Sequence, residues 1–295
     1  MGWPVAHSRS PLIHGYWLKR HGIAGSYIPL PVRPEDAVAA IRALPKLGFA
    51  GVNCTVPHKH SALEAADVVD ELAWRIGAAN TLVVRGGEIH ATNTDAEGFM
   101  ENIRVAARAL LQARFEQDAQ GAAHMGFLVQ TPEFGFDAGP AVILGAGGAA
   151  RAVLAALLDA GVPSIRLANR TRARADELAD ELGQGRVEVV GWNERDAALA
   201  DANLLVNTTS MGMHGQEPLV LRLDELPETA LVNDIVYAPL ETDLLAAARR
   251  RGNLAVDGLG MLLHQAVPGF EAWFGVRPEV TADLRDIIVR DLEGK

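Results

Sequence analysis

The chain has a single cysteine, Cys54, so no internal disulfide can form. That excludes a disulfide scaffold and a cysteine-built zinc site, and it fits a reducing cytoplasm. No apolar run approaches the ~20 residues that a membrane span needs. The opening, MGWPVAHSRSP, has neither the charged start nor the apolar stretch of a signal peptide. Trp3 and Ala6 break the myristoylation pattern. Positive charge is scarce: 27 basic residues stand against 37 acidic ones, a formal net charge of −10. That balance argues against a general nucleic-acid or anionic-membrane binder, while leaving room for a local basic pocket. What is present is ordinary for a folded protein. The 295 residues are 49% hydrophobic and 22% charged, which excludes global disorder. The length suggests about two domains.

Short apolar runs alternate with helical stretches almost throughout, so the fold class is α/β. In the first block, residues 11–22 read as a helix with Leu12, Tyr16 and Leu18 spaced for burial. SYIPLPV (26–32) reads as a strand, irregular or at an edge because of its two prolines. A helix follows from Pro34, then a buried strand at FAGVNCTV (49–56). Residues 80–93 read as a hairpin turning at Gly86-Gly87. A second block starts near Ala141. AVILGAG, SIRLANR, EVVGW, NLLVN, LVNDIVY and NLAVD are its strands, with helices between them. This is the rhythm of a doubly wound parallel sheet. The tail is helical at both ends. Between the blocks, 99–118 reads as one helix and 119–139 as a loop or weak hairpin, long for a compact domain.

Residues 145–150 read Gly-Ala-Gly-Gly-Ala-Ala between a strand and a helix. That is the context of a dinucleotide-binding turn. Gly145 permits the tight turn and Gly147 lets the backbone approach a pyrophosphate. The helix from Gly148 offers free N–H groups and a positive dipole end. A ligand-free strand–helix turn has the same local pattern. The next strand end separates the two readings. An NAD site usually places an acid there, about 20 residues on. Here the sequence is Asn169-Arg170-Thr171-Arg172-Ala173-Arg174, with no acid before Asp176. Arginines and side-chain hydrogen-bonders suit a 2′-phosphate, so the reading is NADP.

In the first block, Ser8 and Ser10 precede a helix. They are either simple caps or ligands for a carboxylate or a hydroxyl-rich molecule. Asn53-Cys54-Thr55-Val56-Pro57-His58-Lys59 puts polar residues where a buried strand should end, which is where ligands sit in α/β sheets. Lys59 is a surface lysine by default, and Asp95 a helix cap by default. Alternatively the two meet at the sheet end, hold a substrate hydroxyl and pass its proton as hydride leaves the carbon. Cys54, His58 and His60 match no standard metal spacing, so no metal is assigned.

Taken together, the motifs resemble the shikimate dehydrogenase family. They are GWPVAHSRSP (2–11), GVNCTVPHK (51–59), GAANTL (77–82), NTDAEG (93–98), VILGAGGAARA (142–152), ANRTRARA (168–175), NTTSMGM (207–213) and DGLGMLLHQA (257–266). They stand in family order and span nearly the whole chain. The resemblance implies two α/β domains. Residues 1–98, completed by 260–295, would form a substrate domain to which the C-terminal helices return. Residues 99–140 would be a linker helix and extended insertion, and 141–259 a Rossmann-like NADP domain. It implies that Ser8 and Ser10 hold the shikimate carboxylate. Asn53, Thr55, Asn80 and Gln265 would hold ring hydroxyls, with Tyr237 near the substrate. Lys59 and Asp95 would be the catalytic pair. Gly145, Ala146, Gly147, Gly148 and Ala149 would take the pyrophosphate. Asn169, Arg170, Thr171 and Arg174 would take the 2′-phosphate, and Thr208, Ser210, Met211 and Gly260 would lie near the ribose or nicotinamide.

The implied activity is reversible NADP(H)-dependent interconversion of 3-dehydroshikimate and shikimate in aromatic amino-acid biosynthesis. The protein would be cytoplasmic, a monomer or homodimer, with no nucleic-acid or membrane partner. The alternatives are a quinate/shikimate dehydrogenase with relaxed substrate or NAD use, and a non-catalytic NADP-binding homologue. Two departures from the family pattern are visible. Only Met1 precedes Gly2 where the family has a strand, so the sheet that positions Ser8 and Ser10 is expected to be weakened. The 99–140 segment is longer than the usual link.

Overall fold

A computed structural model describes residues 1–121 and 133–294. The chain divides into two compact units. One comprises Met1–Gly98 and Leu262–Lys295, the other Phe99–Met261.

The first unit opens with α1 (Ser10–Arg20), α2 (Ala37–Ala43), β1 (Gly51–Asn53), α3 (Lys59–Ala65), β2 (Val68–Val69) and α4 (Glu71–Ile76). Then come β3 (Thr81–Arg85), β4 (Glu88–Thr92) and the start of α5 (Asp95–Gly121). Its sheet has the order β1-β3-β4-β2. The β3–β4 hairpin turns at Gly86-Gly87, both with positive φ, which suits the twist of a two-residue connection. Val52, Leu82, Ile89 and Ala91 from the strands pack with Ile41, Leu44, Ala62 and Ala73 from the helices.

Two expectations need correction here. The buried face of α1 is Ile13, His14, Trp17 and Leu18, while Leu12 is exposed and Tyr16 only half-buried. The face turns because an aromatic cluster, not a uniform apolar layer, receives it. Residues 26–32 form no strand. Pro29 and Pro31 lack N–H donors, so only an isolated bridge between Gly2 and Pro31 remains. Met1–Trp3 are also paired on both sides. Gly2 N donates to Leu30 O (3.2 Å) and Val32 N to Gly2 O (3.3 Å). Thr55 N donates to Met1 O (2.9 Å) and Trp3 N to Val56 O (3.2 Å). The segment before Ser8 is therefore tied into the sheet region by backbone bonds.

The second unit carries β5 (Ala141–Leu144), α6 (Gly148–Asp159), β6 (Ile165–Ala168), α7 (Arg172–Leu182), β7 (Val187–Val190), β8 (Leu204–Asn207), β9 (Leu231–Asp234), α8 (Asp243–Arg251) and β10 (Leu254–Val256). Its six strands are all parallel in the order β10-β9-β8-β5-β6-β7. That is the doubly wound order, whose reversal lies between β5 and β8. β5 and β8 are buried along their whole length, as a sheet covered on both faces requires. α9 (Leu259–His264) crosses the division, and α10 (Ala266–Phe274) and α11 (Ala282–Leu292) belong to the first unit.

The helix expected at 99–118 begins earlier and runs longer, as α5. The part of the expected loop or hairpin at 122–132 lies outside the described residues. Among the described residues, no helix is long and apolar enough to cross a membrane.

Candidate active site

In the first unit, the ends of β1, β3 and β4 bring one polar cluster together. Lys59 is the first residue of α3, and Asp95 the first of α5. Asp95 complements its helix dipole, whereas Lys59 opposes its own. Lys59 Nζ donates to Asp95 Oδ2, with side chains 18% and 11% exposed. A cation held against a helix N-terminus is thereby offset by a nearby anion. Asp95 N donates to Asn93 Oδ1 (3.0 Å), and Asn80 Nδ2 donates to Asp95 Oδ1 (2.9 Å). Both carboxylate oxygens are thus held, and so is the backbone that carries them.

Asn80 is the hub. Its Oδ1 accepts from Thr94 N (2.8 Å), and its Nδ2 also faces Gln265 Oε1 (3.3 Å). Thr94 Oγ1 donates to Gln265 O (2.8 Å). Gly98 makes this approach possible: a Cβ there would lie 2.7 Å from Gln265 N. Asn53 is half-buried, and its Nδ2 donates to Thr81 Oγ1 (2.9 Å). Thr55 is exposed beside it. Ser8 and Ser10 are half-buried, and Ser10 N donates to Ser8 Oγ (3.3 Å). The N-cap position of α1 is Arg9, which makes no side-chain cap bond.

Sequence reasoning missed Tyr27. Its phenol donates to Asn53 Oδ1 (2.7 Å) and also interacts with Ser10. Burial pushes the phenol above its ordinary value, so it remains a neutral O–H donor. His14 stacks on it at 4.1 Å with ring planes 2° apart, and Trp17 and Phe270 surround His14. The only sequence signal was a polar-tipped aromatic in an otherwise apolar segment. Cys54 is buried, and burial pushes its thiol up to about 11 against the opposing charges of the N-terminus and Lys59. It is a small apolar filler there. His58 is buried on Val32 O (2.8 Å). Among the described residues, no group of three His, Cys, Asp or Glu side chains could hold a metal.

The second unit carries Tyr237 and the predicted dinucleotide residues. Gly145 has φ +105°, and a Cβ there would sit 2.7 Å from Thr208 Oγ1. Only glycine fits that turn. A Cβ on Gly147 or Gly148 would meet nothing within 4 Å, so the start of α6 has an open face. Ala146 N donates to Asn169 Oδ1 (3.2 Å), which fixes the loop to the end of β6. Asn169 Nδ2 donates to Thr171 O (2.8 Å), orienting the start of α7. Arg170 and Arg174 are exposed. Arg170 pairs with Glu217 (2.9 Å) beside a depression of about 270 Å³ that Ser210 and Met211 also line. The donor set therefore fits a dinucleotide: free helix N–H groups for a pyrophosphate and guanidinium groups for a further phosphate. Thr208 is buried and donates to Leu144 O (2.7 Å). Gly260 is buried against Asn102, whose Oδ1 would lie 1.8 Å from a Cβ at that position.

Residues 1–82 match the family "Shikimate dehydrogenase substrate binding domain". Residues 131–222 match "Shikimate / quinate 5-dehydrogenase", and 258–285 match "Shikimate 5'-dehydrogenase C-terminal domain". The chain is 56% identical over 290 residues to the shikimate dehydrogenase (NADP(+)) of Paramagnetospirillum magneticum, covering 98% of this chain and 96% of that protein. The Thermus thermophilus shikimate 5-dehydrogenase, solved with NADP(H) and shikimate, is 33% identical. It aligns over 99% of this chain and 97% of its own, with a TM-score of 0.78. The Corynebacterium glutamicum quinate dehydrogenase, solved with NAD, is 30% identical. It aligns over 98% of this chain and 96% of its own, with a TM-score of 0.80.

Proposed function

The chain belongs to the shikimate dehydrogenase family, and on that premise we propose that it interconverts 3-dehydroshikimate and shikimate with NADP(H). The observation that carries the reading is the Lys59–Asp95 pair, locked by Asn80 and Asn93 at the sheet end. NADP, when bound, supplies the hydride or accepts it. The residues of the chain do the rest. Lys59 Nζ gives a proton to the carbonyl oxygen as it becomes an alcohol, and takes it back in the reverse direction. Asp95 Oδ2 accepts from that ammonium and holds it in place.

Ser8 and Ser10, at the start of α1, take the carboxylate. Tyr27 links that seat to Asn53 through one phenol. Asn53, Thr55, Asn80 and Gln265 take ring hydroxyls, and Tyr237 is a further substrate residue. A rigid hydrogen-bonding site of this kind favours a partner that satisfies every group in it. In the second unit, Gly145–Ala149 take the pyrophosphate. Asn169, Arg170, Thr171 and Arg174 take the 2′-phosphate, and Thr208, Ser210, Met211 and Gly260 flank the ribose and nicotinamide. The first unit is the substrate domain and the second the cofactor domain. The protein acts in the cytoplasm as a monomer or homodimer.

The test is NADPH formation by purified protein given shikimate and NADP, with quinate and NAD as crossed controls. A rate confined to shikimate with NADP is expected. Equal rates with quinate or NAD would overturn the stated specificity. No rate from folded protein would overturn the activity.

A further inference from the structure

Asp234 is an unusual residue for a buried parallel strand. It ends β9 and is fully buried. Burial pushes its carboxyl above the ordinary value, and hydrogen bonds from Thr242, Val236 and Asn207 oppose that shift. Burying a charge this way costs stability unless its oxygens are satisfied, and here they are. Oδ1 accepts from Asn207 Nδ2 (2.9 Å) and Val236 N (3.1 Å). Oδ2 accepts from the Thr242 hydroxyl (2.7 Å), which also caps α8 by accepting from Leu245 N (3.3 Å).

The consequence lies one residue further on. Asn207 ends β8 and sits directly opposite Asp234 in the ladder. A carboxylate only accepts, so the Asn207 amide must turn its Nδ2 towards it. That leaves Asn207 Oδ1 facing the loop, where it accepts from Thr209 N (3.0 Å) and Thr209 Oγ1 (2.7 Å). Thr209 Oγ1 accepts in turn from Met211 N (3.1 Å). The chain of contacts runs from Asp234 through Asn207 and Thr209 to Met211. If the amide flipped, both bonds from Thr209 would be lost together.

We propose that Asp234 is a positioning residue for the cofactor loop: it fixes the polarity of the Asn207 amide and so the shape of the Thr208–Gly212 segment. The inference rests on the reading that this segment flanks NADP. The same carboxylate ties that loop to the turn leading to Tyr237, through Val236 N, and to the start of α8, through Thr242.

The test uses the whole chain and reads NADP binding by titration calorimetry, with shikimate binding measured in parallel. Asn207→Asp places two carboxylates face to face. It is expected to weaken NADP binding about tenfold, the scale of one or two lost hydrogen bonds, while shikimate binding changes less than about twofold. Adding Asp234→Asn to that variant restores an acceptor–donor pair across the ladder and should recover most of the loss. A merely structural role would lower the melting temperature without this selective, rescuable loss. Should Asn207→Asp not fold, Asp234→Asn alone is measured, and a three- to tenfold weaker NADP affinity is expected. Folded variants that bind NADP as the wild type does overturn the inference, as does a double variant that recovers nothing. A wild type that binds no NADP overturns the cofactor reading itself, and this inference with it.

Discussion

Lys59 and Asp95 lie 36 residues apart in sequence and meet as a side-chain pair. Removing the amine should cost turnover rather than binding. Lys59→Ala is expected to lower kcat by about 10²–10⁴, the usual scale of a lost acid–base group, while shikimate still binds by calorimetry. Unchanged kcat would remove Lys59 from the chemistry. Glu217 offers a second single-residue test. Its carboxylate holds Arg170, and both side chains are largely exposed, so the pair is weak. Glu217→Gln frees the guanidinium and should lower KM for NADP about two- to fivefold at low salt, with the difference shrinking as salt rises. His14 titrates in a way that can be read from outside. Both its ring nitrogens are buried without a hydrogen-bond partner among the described residues. Burial lowers its pKa from 6.5 to about 3. The unfolded chain therefore takes up this proton first as pH falls. Stability present above pH 6.5 is lost between 6.5 and about 3, by up to about 1.4 kcal/mol per pH unit. His14→Phe should flatten that part of the stability curve, measured by urea unfolding at stepped pH.

At the scale of elements, close approaches decide more than propensities do. The turn between β5 and α6 needs φ +105° at Gly145 and leaves no room for a methyl group beside Thr208. Gly145→Ala is expected to cost about 1–3 kcal/mol in urea unfolding and to raise KM for NADP. A wild-type midpoint would show that the turn relaxes freely. Gly51 has the same kind of reason. A Cβ there would lie 2.1 Å from Trp273 Nε1, and that indole donates to Leu82 O (2.9 Å). α10 thus packs over the first sheet through a tryptophan that a larger residue in β1 would displace. The β3–β4 hairpin, by contrast, follows from its own few residues. Gly86-Gly87 supplies the turn, and alternating side chains supply the register.

At the scale of the whole molecule, each unit has its own core, and the proposed function gives each its own set of ligand residues. Ligands should therefore stabilise the chain by mass action. NADP at 100 times its Kd is expected to add about 2.7 kcal/mol to unfolding stability, and NAD at the same concentration far less. Equal stabilisation by the two would remove the 2′-phosphate argument built on Arg170 and Arg174. The site itself depends on the returning tail. Asn80 and Gln265 are 185 residues apart, yet their amides face each other at 3.3 Å.

What the sequence determined by itself was everything carried by local spacing. The alternation of strands and helices set the doubly wound sheet, because period and turn residues act over a few positions. The glycine turn, the arginines after β6 and the Ser8, Asn53, Lys59 and Asp95 motifs were legible for the same reason, since each is a short run of distinctive chemistry. Tertiary structure alone decided what depends on distant partners. Tyr27 became part of the site because His14 stacks on it and Asn53 accepts from it. The buried face of α1 turned towards aromatic rings supplied by α10. Thr208, which reads as a ligand residue in sequence, spends its hydroxyl on Leu144. Asp234, which reads as a strand end, orients a loop through the side chain opposite it. A hydrogen bond needs its two groups within about 3 Å, and no pattern along the chain reports which remote residue will come that close.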